Sequence, residues 1–195
     1  MSNHLAALAI CFAAPATADC LTASDMTGGI SVTLDNGAIE VYRRDMNDPA
    51  LVTVDGSGES GPAYRLVLVR GILVLLFETV DESAGAMNVS TSYSYPLAPA
   101  DVPVPVAGAL WQISALRNDS EGETPEDQIH QAGDLTPITI GECTYAAIPV
   151  TVAYGATYVE EITYLPDLGF GFLHWFQNEG GEKNATNLIA LERAE

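Results

Sequence analysis

Glu126, Asp127 and His130 are the residues whose types and spacing come closest to chemistry in this chain. On a helix Glu126 and His130 meet one turn apart, which pairs an imidazole with a carboxylate as acid–base catalysis or metal binding requires. A single turn of this kind arises easily by chance. Of the three histidines, His4 lies in a leader-like N-terminal segment, so only His130 and His174 remain for a mature protein. His174 alternates with Phe172 and Phe176, the setting of a core histidine rather than of a reacting group. GxSxG, HExxH, a phosphate-binding glycine loop and a dinucleotide fingerprint are missing. The acidic loop 118–127 has the composition of a calcium loop without its ordered ligand spacing. The sequence therefore assigns no catalytic, cofactor-binding or metal-ligating residue and no cofactor, and it leans away from an enzyme. A hydrolase or metal-dependent enzyme using His130 with Glu126 and Asp127, or His174, stands as an alternative.

The cysteines say more. Residues 5–14 form an apolar run of signal-peptide length, followed by the small-residue site Ala16-Thr17-Ala18. Residues 1–18 thus read as a cleaved signal peptide and 19–195 as one β-rich domain, periplasmic or secreted. No Lys or Arg precedes the run, and it falls short of the ~20 apolar residues of a membrane span, so no stable membrane insertion is expected after cleavage. Cleavage discards Cys11 and leaves Cys20 and Cys143, an even pair in a compartment where disulfides persist. A bridge between them is predicted, tying the new N-terminus to a strand beginning near Tyr145; two buried thiols are the alternative. Only 7 Lys and Arg oppose 26 Asp and Glu, for a formal charge of −19. Such a surface repels phosphate backbones and anionic head groups, which excludes nucleic acid as a partner.

The elements that must position these residues are nearly all strands. Residues 30–34 and 38–44 alternate around Asp35-Asn36-Gly37 and read as a hairpin. Further strands are expected at 51–54, 64–69, 72–80, 88–95, 110–116, 136–140, 145–154, 158–165, 170–177 and 187–192. The proline-rich stretch 96–105 is a crossover or edge segment, and Pro149 marks an edge or bulge. Thr124-Pro-Glu-Asp127 resembles a helix start and predicts one short helix near 125–132. The fold class is all-β and mainly antiparallel: a single-domain β-sandwich or curved half-barrel. Residues 72–77 and 170–176 are apolar on both faces, so their cover must come from another sheet layer, from loops such as the proline-rich segment, or from an apolar ligand.

The run YVEEITYLPDLGFGFL from Tyr158 resembles the strand, Pro-x-x-Gly turn and strand of periplasmic antiparallel-sheet proteins, among them half-barrels similar to lipoprotein carriers. The whole chain is similar in character to secreted β-proteins of Gram-negative bacteria. The resemblance implies a curved sheet whose concave side holds a lipid or other apolar molecule. The expected function is an exported non-catalytic β-domain binding an apolar small molecule or lipid, with Phe170, Phe172, His174 and Phe176 as candidate lining. The alternative is a structural or interaction module whose partner is another exported protein.

Overall fold

A computed structural model describes residues 19–57, 62–81 and 86–195; the leader, its cleavage site and Cys11 lie outside the described residues. Strands β1 (Ile30–Leu34) and β2 (Ile39–Arg44) form the expected hairpin, with Gly37 at φ 82° in its turn. They are followed by β3 (Leu51–Ser57), β4 (Tyr64–Val69), β5 (Leu73–Asp81), β6 (Ala86–Ser94), β7 (Leu110–Asp119) and β8 (Gly122–Ala132). The chain then runs through β9 (Thr136–Ile140), β10 (Cys143–Tyr154), β11 (Tyr158–Leu165), β12 (Phe170–Asn178), β13 (Asn184–Ala185) and β14 (Leu188–Arg193). All pairings are antiparallel, in one 14-stranded sheet ordered β13-β12-β11-β10-β8-β7-β6-β5-β4-β3-β2-β1-β14, with β9 attached to β10. The sheet is not closed into a barrel and has the form of a curved half-barrel.

The helix expected near 125–132 is instead part of strand β8. Gly122 to Gln131 pair residue for residue with Asp119 to Leu110 of β7, and this long ladder overrides a local signal one turn long. Pro125 is tolerated because β10 pairs only with residues 128–132, which leaves β8 an edge strand at the proline. Pro149 sits where β10 changes neighbours, from β9 at 143–147 to β8 at 150–154. Its missing N–H falls in that gap, and its carbonyl accepts a bond from the Gly133 N–H at 2.8 Å.

Opposed residues share a face of a sheet, so the faces can be followed from strand to strand. The concave face carries Tyr42, Leu66, Tyr93, Ile113, Val152 and Ile162. On β10 to β12 the opposite face carries Tyr145, Ala147, Leu165, Phe170 and Phe172, and these pack against Ile30, Val32, Tyr42 and Val54 on the concave face of β1 to β3. One end of the sheet is thus tucked inside the other. The concave side of β10 and β11, with Ile148, Val150, Val152 and Ile162, joins a second core with Ile113 of β7 and the β4–β5 turn. Val102 of the proline-rich segment covers that core, as a loop was expected to do. Strands β10 and β11 thus join a core on each face, whereas in the doubly apolar stretch 170–176 Phe170 and Phe172 join the first core and Leu173, on the other face, is 37% exposed.

The bridge between Cys20 and Cys143 is present. It anchors residue 20 at the first residue of β10, and the Leu21 N–H donates to the Tyr145 hydroxyl at 3.1 Å. The tips of two hairpins meet beside the second core. Arg70 and Gly71 both take left-handed φ, 53° and 72°, making the tight β4–β5 turn, and the Gly71 carbonyl accepts the Gly171 N–H at 2.9 Å. A Cβ at Gly71 would stand 2.6 Å from the Phe170 Cα, so only glycine allows the tips to touch.

Candidate functional site

Between the concave faces of β2 to β5 and of β11 and β12 lies a cavity of about 400 Å³. Its apolar wall includes Leu66, Leu68, Ile72, Val74, Phe77 and Ile162. Phe77 reaches this wall through a bulge. Leu68 pairs with Val74 and Val67 with Leu76, leaving Leu75 unpaired, so Val74 and Phe77 face the same way although strict alternation would oppose them.

Two carboxylates interrupt the apolar wall, and each is held by two tyrosines. Glu40, only 7% exposed, accepts hydrogen bonds from the hydroxyls of Tyr42 at 2.6 Å and of Tyr64. The second bond spans three strands. Glu40, Gly56 and Tyr64 stand in register on β2, β3 and β4, and the Tyr64 ring lies where a Cβ on residue 56 would be, 2.2 Å away. Gly56 is the open lane through which Tyr64 reaches Glu40. On the other wall, Glu160 accepts from Tyr154 at 2.6 Å and from Tyr158 at 3.0 Å. Burial raises the Glu160 carboxyl above its ordinary value, against the lowering effect of its two tyrosine bonds. Burial and then the adjacent carboxylates push the Tyr42, Tyr64, Tyr154 and Tyr158 hydroxyls up, so they remain protonated donors.

The cavity continues, past the shared Phe77, Tyr158 and Glu160, into a more polar chamber of about 470 Å³ reaching Tyr93, Arg117 and Glu126. There Arg117 pairs with Asp119 at 3.0 Å and with Glu126 at 3.6 Å. Glu126 also accepts from Gln128 at 2.9 Å. Burial, reinforced by Glu126, pushes the Tyr93 hydroxyl up to about 12. Tyr95 donates to the Val74 carbonyl at 2.9 Å, joining the polar chamber to the apolar wall.

The residues singled out from sequence are dispersed. In strand β8, Glu126 and His130 point to the concave side, whereas Asp127 points away and accepts from Ser114 at 2.5 Å. His130 is fully buried and stacks on Trp111 at 4.9 Å, and neither ring nitrogen has a partner. Its burial lowers its pKa to about 4. Among the described residues, no group of three or more His, Cys, Asp or Glu is placed to hold a metal. The expected lining of Phe170, Phe172, His174 and Phe176 is divided by a bulge at His174, since Glu161 pairs with Trp175 and Ile162 with Leu173. Phe170 is buried against Tyr42 at 4.3 Å, and Phe172 joins the same core. His174 Nδ1 lies 3.1 Å from the Thr186 carbonyl, and Phe176 turns to the concave side near Tyr158, 6.0 Å between centroids.

The cavity residues that sequence reading passed over were Glu40 and Glu160. The signals for them were Gly56 and the tyrosines that follow the period of the strands. No family model, curated protein or solved structure matches the chain.

Proposed function

We propose that this chain is an exported, non-catalytic β-domain that takes an apolar small molecule into the concavity of its sheet. The observation that carries the reading is the cavity of about 400 Å³ walled by Leu66, Leu68, Val74 and Phe77, which lies beside two packed cores rather than within either. A cleft of this size, mostly apolar with a few placed polar groups, is the form small-molecule sites take. The bridge of Cys20 to Cys143 supports an oxidising compartment. No helix among the described residues is long and apolar enough to cross a membrane.

Uptake of the neutral dye Nile red tests the reading. Fluorescence enhancement that saturates at one dye per chain, and that Val74→Trp abolishes in a protein of unchanged circular dichroism, is the expected result. Absence of uptake by the folded wild-type chain would overturn it and favour the interaction module. N-terminal sequencing of the exported protein tests the leader, with Asp19 expected first.

A further inference from the structure

Each Lys and Arg side chain makes its contacts with groups other than the two cavity carboxylates. The chain has 7 Lys and Arg, all within the described residues. Arg43 and Arg65 pair with Asp55, Arg117 with Asp119 and Glu126, and Arg193 with Asp19 and Asp25. Arg44 donates to the Pro49 and Leu168 carbonyls and Arg70 to that of Ala100, while Lys183 sits 3.7 Å above the Trp175 ring. Glu40 and Glu160 thus line one mostly apolar cavity with Tyr42, Tyr64 and Tyr158, no Lys or Arg lines it, and Arg117 of the adjoining chamber is paired with Asp119 and Glu126. Each accepts two tyrosine hydrogen bonds, yet no side-chain cation in the cavity offsets its negative charge, so a bound cation would do so.

We propose that the cavity is a site for a small organic cation, a protonated or quaternary amine with an apolar body, whose charge is countered by Glu40 and Glu160. This rests on the ligand-binding reading above and names the chemistry of the ligand. The apolar body lies along Leu66, Leu68 and Val74. The ammonium group meets the carboxylates and the faces of Tyr64, Phe77 and Tyr158, and aromatic faces attract cations. The same field repels fatty acids and anionic lipids. Charged or titratable groups facing the site are Glu40 and Tyr42 of β2, Tyr64 of β4 and Tyr158 and Glu160 of β11. Around the adjoining chamber they are Tyr93 of β6, Arg117 of β7, Glu126 of β8 and Tyr154 of β10.

Three probes with the same octyl chain separate the possibilities: octyltrimethylammonium, octanol and octanoate, each titrated calorimetrically into the oxidised chain below its micelle concentration. The ammonium is expected to bind at least about tenfold more tightly than the alcohol, a difference of about 1.4 kcal/mol, and octanoate more weakly than either. Glu160→Gln and, separately, Glu40→Gln should each reduce the ammonium-to-alcohol ratio at least about threefold. Equal binding of all three, preference for octanoate, or a ratio unchanged in both variants overturns the cation assignment while Nile red uptake keeps the cavity reading. Should either variant fail to fold, the wild-type order of the three probes still decides. Absence of both dye uptake and ammonium binding overturns the two together.

Discussion

The two faces of the β10 to β12 layer differ in kind. On one face Leu165, Phe170 and Phe172 are close to fully buried and pack in one cluster with Ile30, Val32 and Tyr42. On the other, Ile162 and Glu160 look across the cavity toward Leu66 and Phe77, and no Lys or Arg lines that cavity. The same strands supply both. The packed face has what stability needs, complementary apolar surfaces excluded from water. The open face gives up dispersion contacts and bears the partial desolvation of the Glu160 carboxylate, costs that a binding partner can offset and a folding core cannot.

The comparison can be broken most forcefully at the disulfide, which belongs to the packed side. Replacing both Cys20 and Cys143 by Ser should lower unfolding free energy by about 4–5 kcal/mol in the chain-entropy account, read from denaturant midpoints. Equal stability would mean that strand pairing already fixes residue 20. Next come matched truncations of one aromatic from each face. Phe170→Ala is expected to cost about 3–5 kcal/mol, whereas Phe77→Ala, beside existing space, should cost roughly 1–2 kcal/mol. Similar losses at the two positions would erase the distinction between packed and open.

His130 offers a pH test. Its pKa is lowered from 6.5 to about 4, so the folded state binds fewer protons than the unfolded chain between those values. The stability it contributes is therefore present above pH 6.5 and lost as pH falls toward 4, roughly 3 kcal/mol in all. Thermal unfolding of His130→Leu should lack that acid loss. Glu160 acts in the opposite sense and more weakly. Its raised pKa makes its contribution fully present below the ordinary 4.5 and lost as pH rises through the folded value. Glu160→Gln should flatten stability across that window, with a small gain at neutral pH. A variant less stable than wild type at neutral pH would show that the carboxylate holds Tyr154 and Tyr158 in place.

Sequence reading recovered the strands whose evidence is local: the 30–44 hairpin with its Asn-Gly turn, and the two strands joined at Leu165 to Gly169. It also recovered the even cysteine pair. It missed what depends on distant partners. Residues 124–127 carry helix-start chemistry, yet β7 offers a full-length ladder that a local signal does not reveal. On β2 the buried face is Glu40 and Tyr42, while Ile39 is 45% exposed, so hydrophobicity alone assigns the strand to the wrong side. Gly56 falls beyond the strand expected at 51–54, because its role, making room for a ring from the next strand, exists only after β4 is in register. Bulges at Leu75 and His174 likewise reversed the facing of Phe77 and Phe176.

The two ends of the sheet are consecutive in the chain. Ala185 pairs with Trp175 on β12, and after Thr186 and Asn187, Leu188 pairs with Leu34 on β1. Asp35 in the β1–β2 turn accepts both the N–H and the side-chain amide of Asn187, fixing the crossing point. During synthesis β1 is among the first strands to emerge, yet its outer neighbour is made last. Until then its free edge is a template for pairing with other chains, and folding waits on a contact between the chain's extremes. Strand β14 therefore acts as a kinetic checkpoint: a chain lacking Leu188–Arg193 leaves the β1 edge open to pairing with other chains.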